Sequence, residues 1–278
     1  MPYFENDQIV LLLGQAVEEL RALRTGSVAT VVTSPPYYCQ RDYGVSGQIG
    51  LEATPVEYVA RLVAVFAETR RVLANDGTLW LNLGDTYYSA KGRPHGIDPK
   101  SRSRRIAGLR PVDGPGLGLP RKSLIGIPWR VALALQDDGW TLRSDIIWRR
   151  TTALGEPTAR DRPWRQYEHV FLLSKGPRYY FDRSALHGEE DVWTIEPSRG
   201  GSARGEHFAT YPRALPERCI QAGSRPGDTV LDPFCGSATT GEAALQHDRR
   251  FVGIDLSQEY LDLALRTKLR QPRHVSCG

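Results

Sequence analysis

The chain has 278 residues, 36 of them Lys or Arg against 32 Asp or Glu, for a net charge of +4. That length suits one large α/β domain, and a hydrophobic content of 40% can fill its core. The charged fraction of 24% is that of a soluble protein, and no apolar run reaches the ~18 residues that a membrane-spanning helix needs.

Met1-Pro2-Tyr3-Phe4-Glu5 opens the chain without the basic-then-apolar layout of a signal peptide. Residues 8–13 form a short apolar run, and after Gly14 a helical pattern reaches Leu23. Residues 28–33 (VATVVT) are apolar and β-branched, which predicts a buried strand. Ser34-Pro35-Pro36-Tyr37 must end it, because proline cannot donate to a ladder. Over residues 55–73, Val59, Leu62, Val63, Phe66 and Val72 recur at helical spacing, and Pro55 suits a first helical turn. Asn75-Asp76-Gly77 reads as a turn, and residues 78–83 (TLWLNL) as a second buried strand closed by Gly84-Asp85.

Residues 91–119 are rich in Gly, Pro, Ser and Arg, lack a period, and read as a mobile basic loop. Residues 91–122 carry nine Lys/Arg against two Asp, a net of +7, which leaves −3 for the rest of the chain. Positive charge gathered in one stretch is the footprint expected for nucleic acid. A helix is predicted over 127–136 and strands over 141–148 and 169–173, with an irregular Arg- and Trp-rich stretch between them. Residues 191–206 read as a polar loop. A helix over 212–222, a strand over 229–231, a helix over 240–246, a strand over 251–254 and a helix over 258–269 complete the pattern. Alternating strands and helices predict a mostly parallel sheet with helices on both faces.

Residues 229–255 form the sharpest unit. A strand ends in Asp232, a turn through Gly236 leads into a helix, and a second strand ends in Asp255, 19 residues after Gly236. In dinucleotide-binding folds an acid about 20 residues beyond the glycine turn binds ribose hydroxyls, since the two strand ends lie side by side. Asp255 fits that role, Asp232 can hold a polar group near the turn, and Gly236 allows close backbone approach. The turn is neither GxGxxG nor a lysine-bearing phosphate loop, so a ligand without pyrophosphate is expected.

Thr33-Ser34-Pro35-Pro36-Tyr37-Tyr38 is the second constellation. Its prolines stiffen the loop and remove two amide donors. The Ser34 hydroxyl and the Pro35 carbonyl can accept both hydrogens of an exocyclic amine, aiming its lone pair at an electrophile. Tyr37 offers a ring on which a flipped base can stack.

Together and in this order, the two motifs resemble the amino-methyltransferases that modify adenine N6 or cytosine N4 in DNA. The catalytic loop precedes the cofactor motif, as in that family's β arrangement. Phe208-Ala209-Thr210-Tyr211-Pro212, Leu81-Asn82-Leu83-Gly84-Asp85, and Arg160-Asp161-Arg162-Pro163 with Tyr167-Glu168-His169 resemble further family segments. The resemblance covers nearly the whole chain except the basic loop. It implies a Rossmann-like S-adenosylmethionine-dependent methyltransferase fold with a mostly parallel seven-stranded sheet in permuted order, and base flipping from double-stranded DNA. It further implies that Asp232, Phe234, Cys235, Gly236, Ser237, Asp255, Phe208 and Thr33 contact the cofactor, and that Ser34, Pro35, Pro36 and Tyr37 hold the base. The chain would then be one domain, with a catalytic half (1–90), the basic loop (91–122), a candidate target-recognition region (149–206) and a cofactor-binding half (207–278). Two departures stand out: Ala238 replaces a common second glycine, and Gln15 replaces a common acid.

Adenine-specific members usually begin the tetrapeptide with Asp or Asn, whereas Ser34 resembles the cytosine-N4 type. Cytosine N4 is the expectation and adenine N6 the alternative. A non-catalytic DNA-binding protein that keeps a cofactor fold is a reading of another class, and a methylase of RNA or protein a further one. DNA contacts are expected from Arg102, Arg104 and Arg105 in the basic loop, and from Arg162, Arg165 and Arg204. Cys39, Cys219, Cys235 and Cys277 form no CxxC pair, so no metal and a reducing cytoplasm are expected. A homodimer is compatible with the sequence. Asp85 is read either as a cleft residue or as the cap of the next turn.

Overall fold

The computed structural model describes residues 1–40, 43–88, 117–151, 159–186, 188, 190–197 and 211–270. Its nine strands are β1 (Phe4–Glu5), β2 (Ile9–Leu13), β3 (Val28–Thr33), β4 (Leu73–Leu83), β5 (Thr141–Arg150), β6 (Tyr167–Ser174), β7 (Val192–Ile195), β8 (Thr229–Asp232) and β9 (Arg250–Asp255). They form one sheet in the order β1-β2-β9-β8-β3-β4-β6-β5-β7. The seven-stranded core expected from the sequence runs from β2 to β5, and the short strands β1 and β7 extend its two edges. Pairings from β2 through β4 are parallel, those of β6 with β4 and β5 are antiparallel, and β7 joins β5 in parallel.

Alternation along the strands divides the core between two faces. Val31, Leu79, Leu81, Phe171 and Leu173 point to one side, against helices α1 (Ala16–Ala22), α2 (Pro55–Val72) and α3 (Ile127–Asp137). Val32, Trp80, Val170, Leu172 and Val230 point to the other, against α4 (Ala214–Gly223), α5 (Thr239–Gln246) and α6 (Gln258–Arg266). Both faces of the parallel strands are therefore covered, which is why β3 reads as a continuous apolar run. Among the described residues, no helix is long and apolar enough to cross a membrane.

Three local expectations change. Asn75-Asp76-Gly77 lies inside β4 as a bulged excursion: Val28 pairs with Leu73, and Thr30 already pairs with Thr78. Asp76 is held there through its carbonyl, which accepts from Tyr180 N at 2.7 Å. Residues 192–195, read as loop, form β7, because pairing with β5 and burial of Trp193 and Ile195 outweigh a polar local sequence. The final helix ends at Arg266, ahead of the predicted 269. Helix α2 begins with a capping box, since Thr54 Oγ1 accepts from Glu57 N and Glu57 accepts from Thr54 N.

Where the chain reverses its direction of travel across the sheet, β3 and β8 are neighbours. From β3 the chain proceeds to β4 on one side, and from β8 to β9 on the other. A crevice opens at such a point, beyond the carboxyl ends of the strands.

Packing of α4 on the sheet depends on Gly223. A Cβ there would lie 2.6 Å from Trp80 Nε1, 2.8 Å from Thr78 Oγ1 and 2.9 Å from Thr30 Oγ1. These atoms are already bonded to one another, as Thr30 and Thr78 meet at 2.9 Å and Trp80 Nε1 donates to Thr78 Oγ1. Gly223→Ala should therefore cost about 1–3 kcal/mol. A lower urea midpoint at unchanged slope would register the loss.

Candidate active site

Five segments end at the crevice: Gly14 after β2, Ser34 after β3, Gly84 after β4, Asp232 of β8 and Asp255 of β9. Asp232 is 3% exposed and sits at the crossing point. Its Oδ1 accepts from Thr33 Oγ1 at 2.6 Å and from Phe234 N at 3.1 Å. Its Oδ2 accepts from Thr240 Oγ1 at 2.6 Å and from Tyr211 Oη at 3.3 Å. Burial pushes the Asp232 pKa up, and the hydrogen bonds from Thr240, Thr33, Phe234 and Tyr211 oppose that shift. The expected polar contact at this position is thus met largely within the protein. Asp232 ties β8 to β3, to α5 and to the segment leading into α4.

Asp255 has a different setting. Its Oδ2 accepts from Gly236 N and its Oδ1 from Ser257 N, both at 2.8 Å. Leu256 N contributes a third backbone hydrogen bond, and the carboxylate retains acceptor capacity beyond these three. Burial raises its pKa to about 6. Gly236 and Ala238 both adopt left-handed backbone, with φ of 50° and 60°. Ala238 thus takes up the conformation a second glycine would adopt, and the turn keeps its course into α5.

A cavity of about 400 Å³ opens between these segments. Gly14, Gln15, Ser34, Pro36, Phe234, Gly236, Ser237 and Asp255 line it, and Tyr43 and Tyr260 add aromatic rings. Tyr43 meets Tyr260 edge-on at 6.3 Å. Cys235 also faces the cavity but is 5% exposed, and burial holds its thiol well above the ordinary range, so it serves as a packing residue. Thr33 stands behind the wall, bonded to Asp232. Behind Ser237, Lys268 Nζ donates to Ser237 Oγ at 2.9 Å and also to Thr239 Oγ1, and burial lowers its pKa.

The Ser34–Tyr37 loop is braced from several sides. Tyr58 of α2 donates to the Pro36 carbonyl at 2.8 Å, and Pro35 is buried. Tyr37 Oη donates to Glu168 Oε2 at 2.5 Å and lies 3.1 Å from Asn82 Oδ1. Ser34 Oγ donates to Tyr37 Oη at 3.3 Å. Burial, followed by the charge of Glu168, pushes the Tyr37 phenol well above its ordinary pKa, so it stays protonated. Glu168 is in turn paired with Arg150 at 3.1 Å. Asp85 resolves into a cap: its carboxylate accepts from Gly126 N and Ile127 N at the start of α3.

Arg162 and Arg165 lie on the segment leading into β6, beside Tyr87. The guanidinium of Arg162 stacks 3.6 Å over the Tyr87 ring, and that of Arg165 lies 5.8 Å from it. Phe208, Arg102, Arg104, Arg105 and Arg204 lie outside the described residues. Sequence reasoning gave no role to Thr240, Tyr211, Lys268, Arg150 or Glu168. Tyr211 and Glu168 stand inside segments already singled out, whereas Thr240, Arg150 and Lys268 carry no motif.

A model of the N6/N4 methyltransferase family, described as DNA methylase, matches residues 28–266. The type II methyltransferase M.Cfr9I of Citrobacter freundii is 47% identical over 270 residues, covering 94% of this chain and 88% of the relative. The type II methyltransferase M.SmaI of Serratia marcescens is 44% identical over 272 residues, covering 94% and 91%. Among solved structures, the PvuII DNA methyltransferase (cytosine-N4-specific) superposes with a TM-score of 0.75 at 22% identity, over 98% of this chain and 90% of that one. The putative DNA modification methylase TTHA0409 of Thermus thermophilus, complexed with S-adenosyl-L-methionine, superposes with a TM-score of 0.65 at 25% identity, over 92% and 91%.

The fit around Tyr37 leaves no room at Gly84, where a Cβ would lie 2.6 Å from Tyr37 Cε2 and 3.1 Å from Cδ2. The ring cannot slide away while Glu168 holds its hydroxyl. Gly84→Ala should lower stability by about 1–3 kcal/mol and displace the Tyr37 ring. Chemical denaturation and a crystal structure of the variant would check both.

Proposed function

Because this chain belongs to the N6/N4 DNA methylase family, we propose that it is a type II DNA methyltransferase that moves a methyl group from S-adenosylmethionine to N4 of cytosine in a flipped-out base. The observation that carries this reading is the shared cavity: Ser34 and Pro36 of the first half line the same space as Gly236 and Asp255 of the second. An amine acceptor and a cofactor wall thereby face each other.

The cavity's chemistry suits the cofactor. Asp255 faces the cavity with acceptor capacity beyond its backbone partners for a ribose diol, and Gly236 brings backbone close to a ligand. Phe234, Tyr43 and Tyr260 supply aromatic surface. When bound, S-adenosylmethionine supplies a methyl group made electrophilic by the sulfonium charge. Gln15 lines the cavity where an acid is common, and presents a neutral amide to the ligand.

On the base side, Ser34 Oγ and the Pro35 carbonyl accept the two amine hydrogens, which turns the nitrogen lone pair towards the methyl. The Tyr37 ring stacks on the extruded base. Two prolines and the Tyr58 hydrogen bond hold this geometry before substrate arrives. The choice of cytosine rests on Ser34, a neutral hydroxyl in the place where adenine-specific enzymes usually carry Asp or Asn. Arg162 and Arg165, beside Tyr87, are the described candidates for phosphate contact.

Incubation with isotope-labelled S-adenosylmethionine and mixed-sequence duplex, followed by digestion to nucleosides, tests the reading. Label is expected in N4-methyldeoxycytidine, and Ser34→Ala should cut its rate by about 100-fold. Label in N6-methyldeoxyadenosine would refute the serine argument while keeping the enzyme class. Absence of label despite cofactor binding would favour a non-catalytic binder.

Asp255 makes a second test. Its carboxyl accepts diol hydrogens on both oxygens, and most strongly, when ionised, and burial raises its pKa to about 6. Cofactor affinity should therefore rise as pH passes upward through about 6 and then level off. In the unfolded chain the same group titrates near 3.8. Its raised folded value stabilises the ligand-free protein at low pH, and that contribution fades as pH climbs through about 6. Asp255→Asn should abolish the binding trend and weaken binding by about 10-fold or more. Calorimetric titration between pH 5 and 8 would reveal either pattern.

A further inference from the structure

We propose that Glu168 is a positioning residue that fixes Ser34 Oγ as a hydrogen-bond acceptor towards the target amine; the proposal rests on the role given to Ser34 above. Four side chains form a chain of hydrogen bonds running from the β5–β6 hairpin to the crevice. Arg150 Nη1 donates to Glu168 Oε1 at 3.1 Å, Tyr37 Oη donates to Glu168 Oε2 at 2.5 Å, and Ser34 Oγ donates to Tyr37 Oη at 3.3 Å. Both charged members are largely removed from solvent, with side-chain exposures of 10% for Arg150 and 14% for Glu168.

The direction of this chain follows from donor and acceptor chemistry. A hydroxyl can give or receive, so a Ser–Tyr pair alone could point either way. An ionised carboxylate only receives, and a guanidinium only gives. The Glu168 carboxylate, paired with Arg150, therefore accepts the hydrogen bond from Tyr37 Oη. Asn82 strengthens this, since its Nδ2 donates to Glu168 Oε2 at 3.3 Å and to the His169 carbonyl at 3.1 Å. Tyr37 Oη is left to receive, and it receives from Ser34. With its own proton spent in that direction, Ser34 Oγ presents lone pairs to the crevice. An exocyclic amine needs such an acceptor, because a serine proton aimed at its nitrogen would compete for the lone pair that attacks the methyl group.

Arg150 Nη2 also donates to the Arg165 carbonyl at 3.1 Å, which fixes the guanidinium from a second side.

Two Glu168 variants and a double-mutant cycle decide the matter. In Glu168→Gln, a near-isosteric change, the amide oxygen keeps Arg150 while the amide nitrogen donates to Tyr37, which reverses the chain. Its kcat should fall about 10- to 100-fold, with the cofactor Kd and urea midpoint close to those of the wild type. Glu168→Asp is shorter but still accepts only, so it should retain more of kcat than Glu168→Gln. Tyr37→Phe cuts the relay, and the E168Q/Y37F pair should be no slower than Y37F alone. Three results would overturn the proposal: kcat of Glu168→Gln within about twofold of wild type, Asp performing worse than Gln, or penalties that multiply in the double variant. Absence of methyl transfer by the wild type in the same assay would instead refute the parent reading, and the proposal with it.

Discussion

The buried carboxylate of Asp232 is the constraint on which the rest of the architecture turns. It lies where the parallel neighbours β3 and β8 send the chain in opposite directions, and it draws Thr33, from 199 residues earlier, into the same contact as Thr240. Burying a carboxylate costs several kcal/mol unless its lone pairs are filled. Four donors fill them here. The two halves of the chain are consequently locked in register at the point where one supplies the Ser34 loop and the other supplies the turn through Gly236.

From that lock the division of labour between the carboxylates follows. Asp232 is spent on the fold and Asp85 on the start of α3. Asp255 meets backbone N–H groups alone, from Gly236, Ser257 and Leu256, and faces the cavity. Glu168 lies farther out and meets side chains alone: Arg150, Asn82 and Tyr37. Local sequence suggests a ribose role for Asp255, a polar group near the turn for Asp232 and a cleft or cap role for Asp85, and gives Glu168 none. The partner that makes Asp232 a brace between the two halves stands 199 residues away.

Much of the fold was nevertheless legible. Strands β3, β8 and β9, the helix α2 and the order of the two motifs all follow from periodicity and punctuation, because their burial is decided by long apolar runs. The elements misread are those whose state depends on a neighbour. β7 forms because β5 offers an edge, and the Asn75-Asp76-Gly77 segment stays within β4 because strand pairing resumes at Thr78 and Tyr180 pins Asp76 from outside. The Ala238 departure proved compatible with the turn: backbone bonds from Ala238 N to Cys235 O and from Glu242 N to Ala238 O hold the left-handed conformation that alanine alone would avoid.

By itself the sequence determined the class of fold, the order of its halves and the course of the two loops, since proline, glycine and strand-end acids act through their own backbone and side-chain properties. Only the tertiary structure decided that Ser34 and Asp255 share a cavity, that Tyr37 is anchored to Glu168 and Arg150, and that Gly84 must lack a side chain. Those facts are distances between residues far apart in the chain, and a distance of that kind is set by how the whole sheet packs rather than by any local pattern.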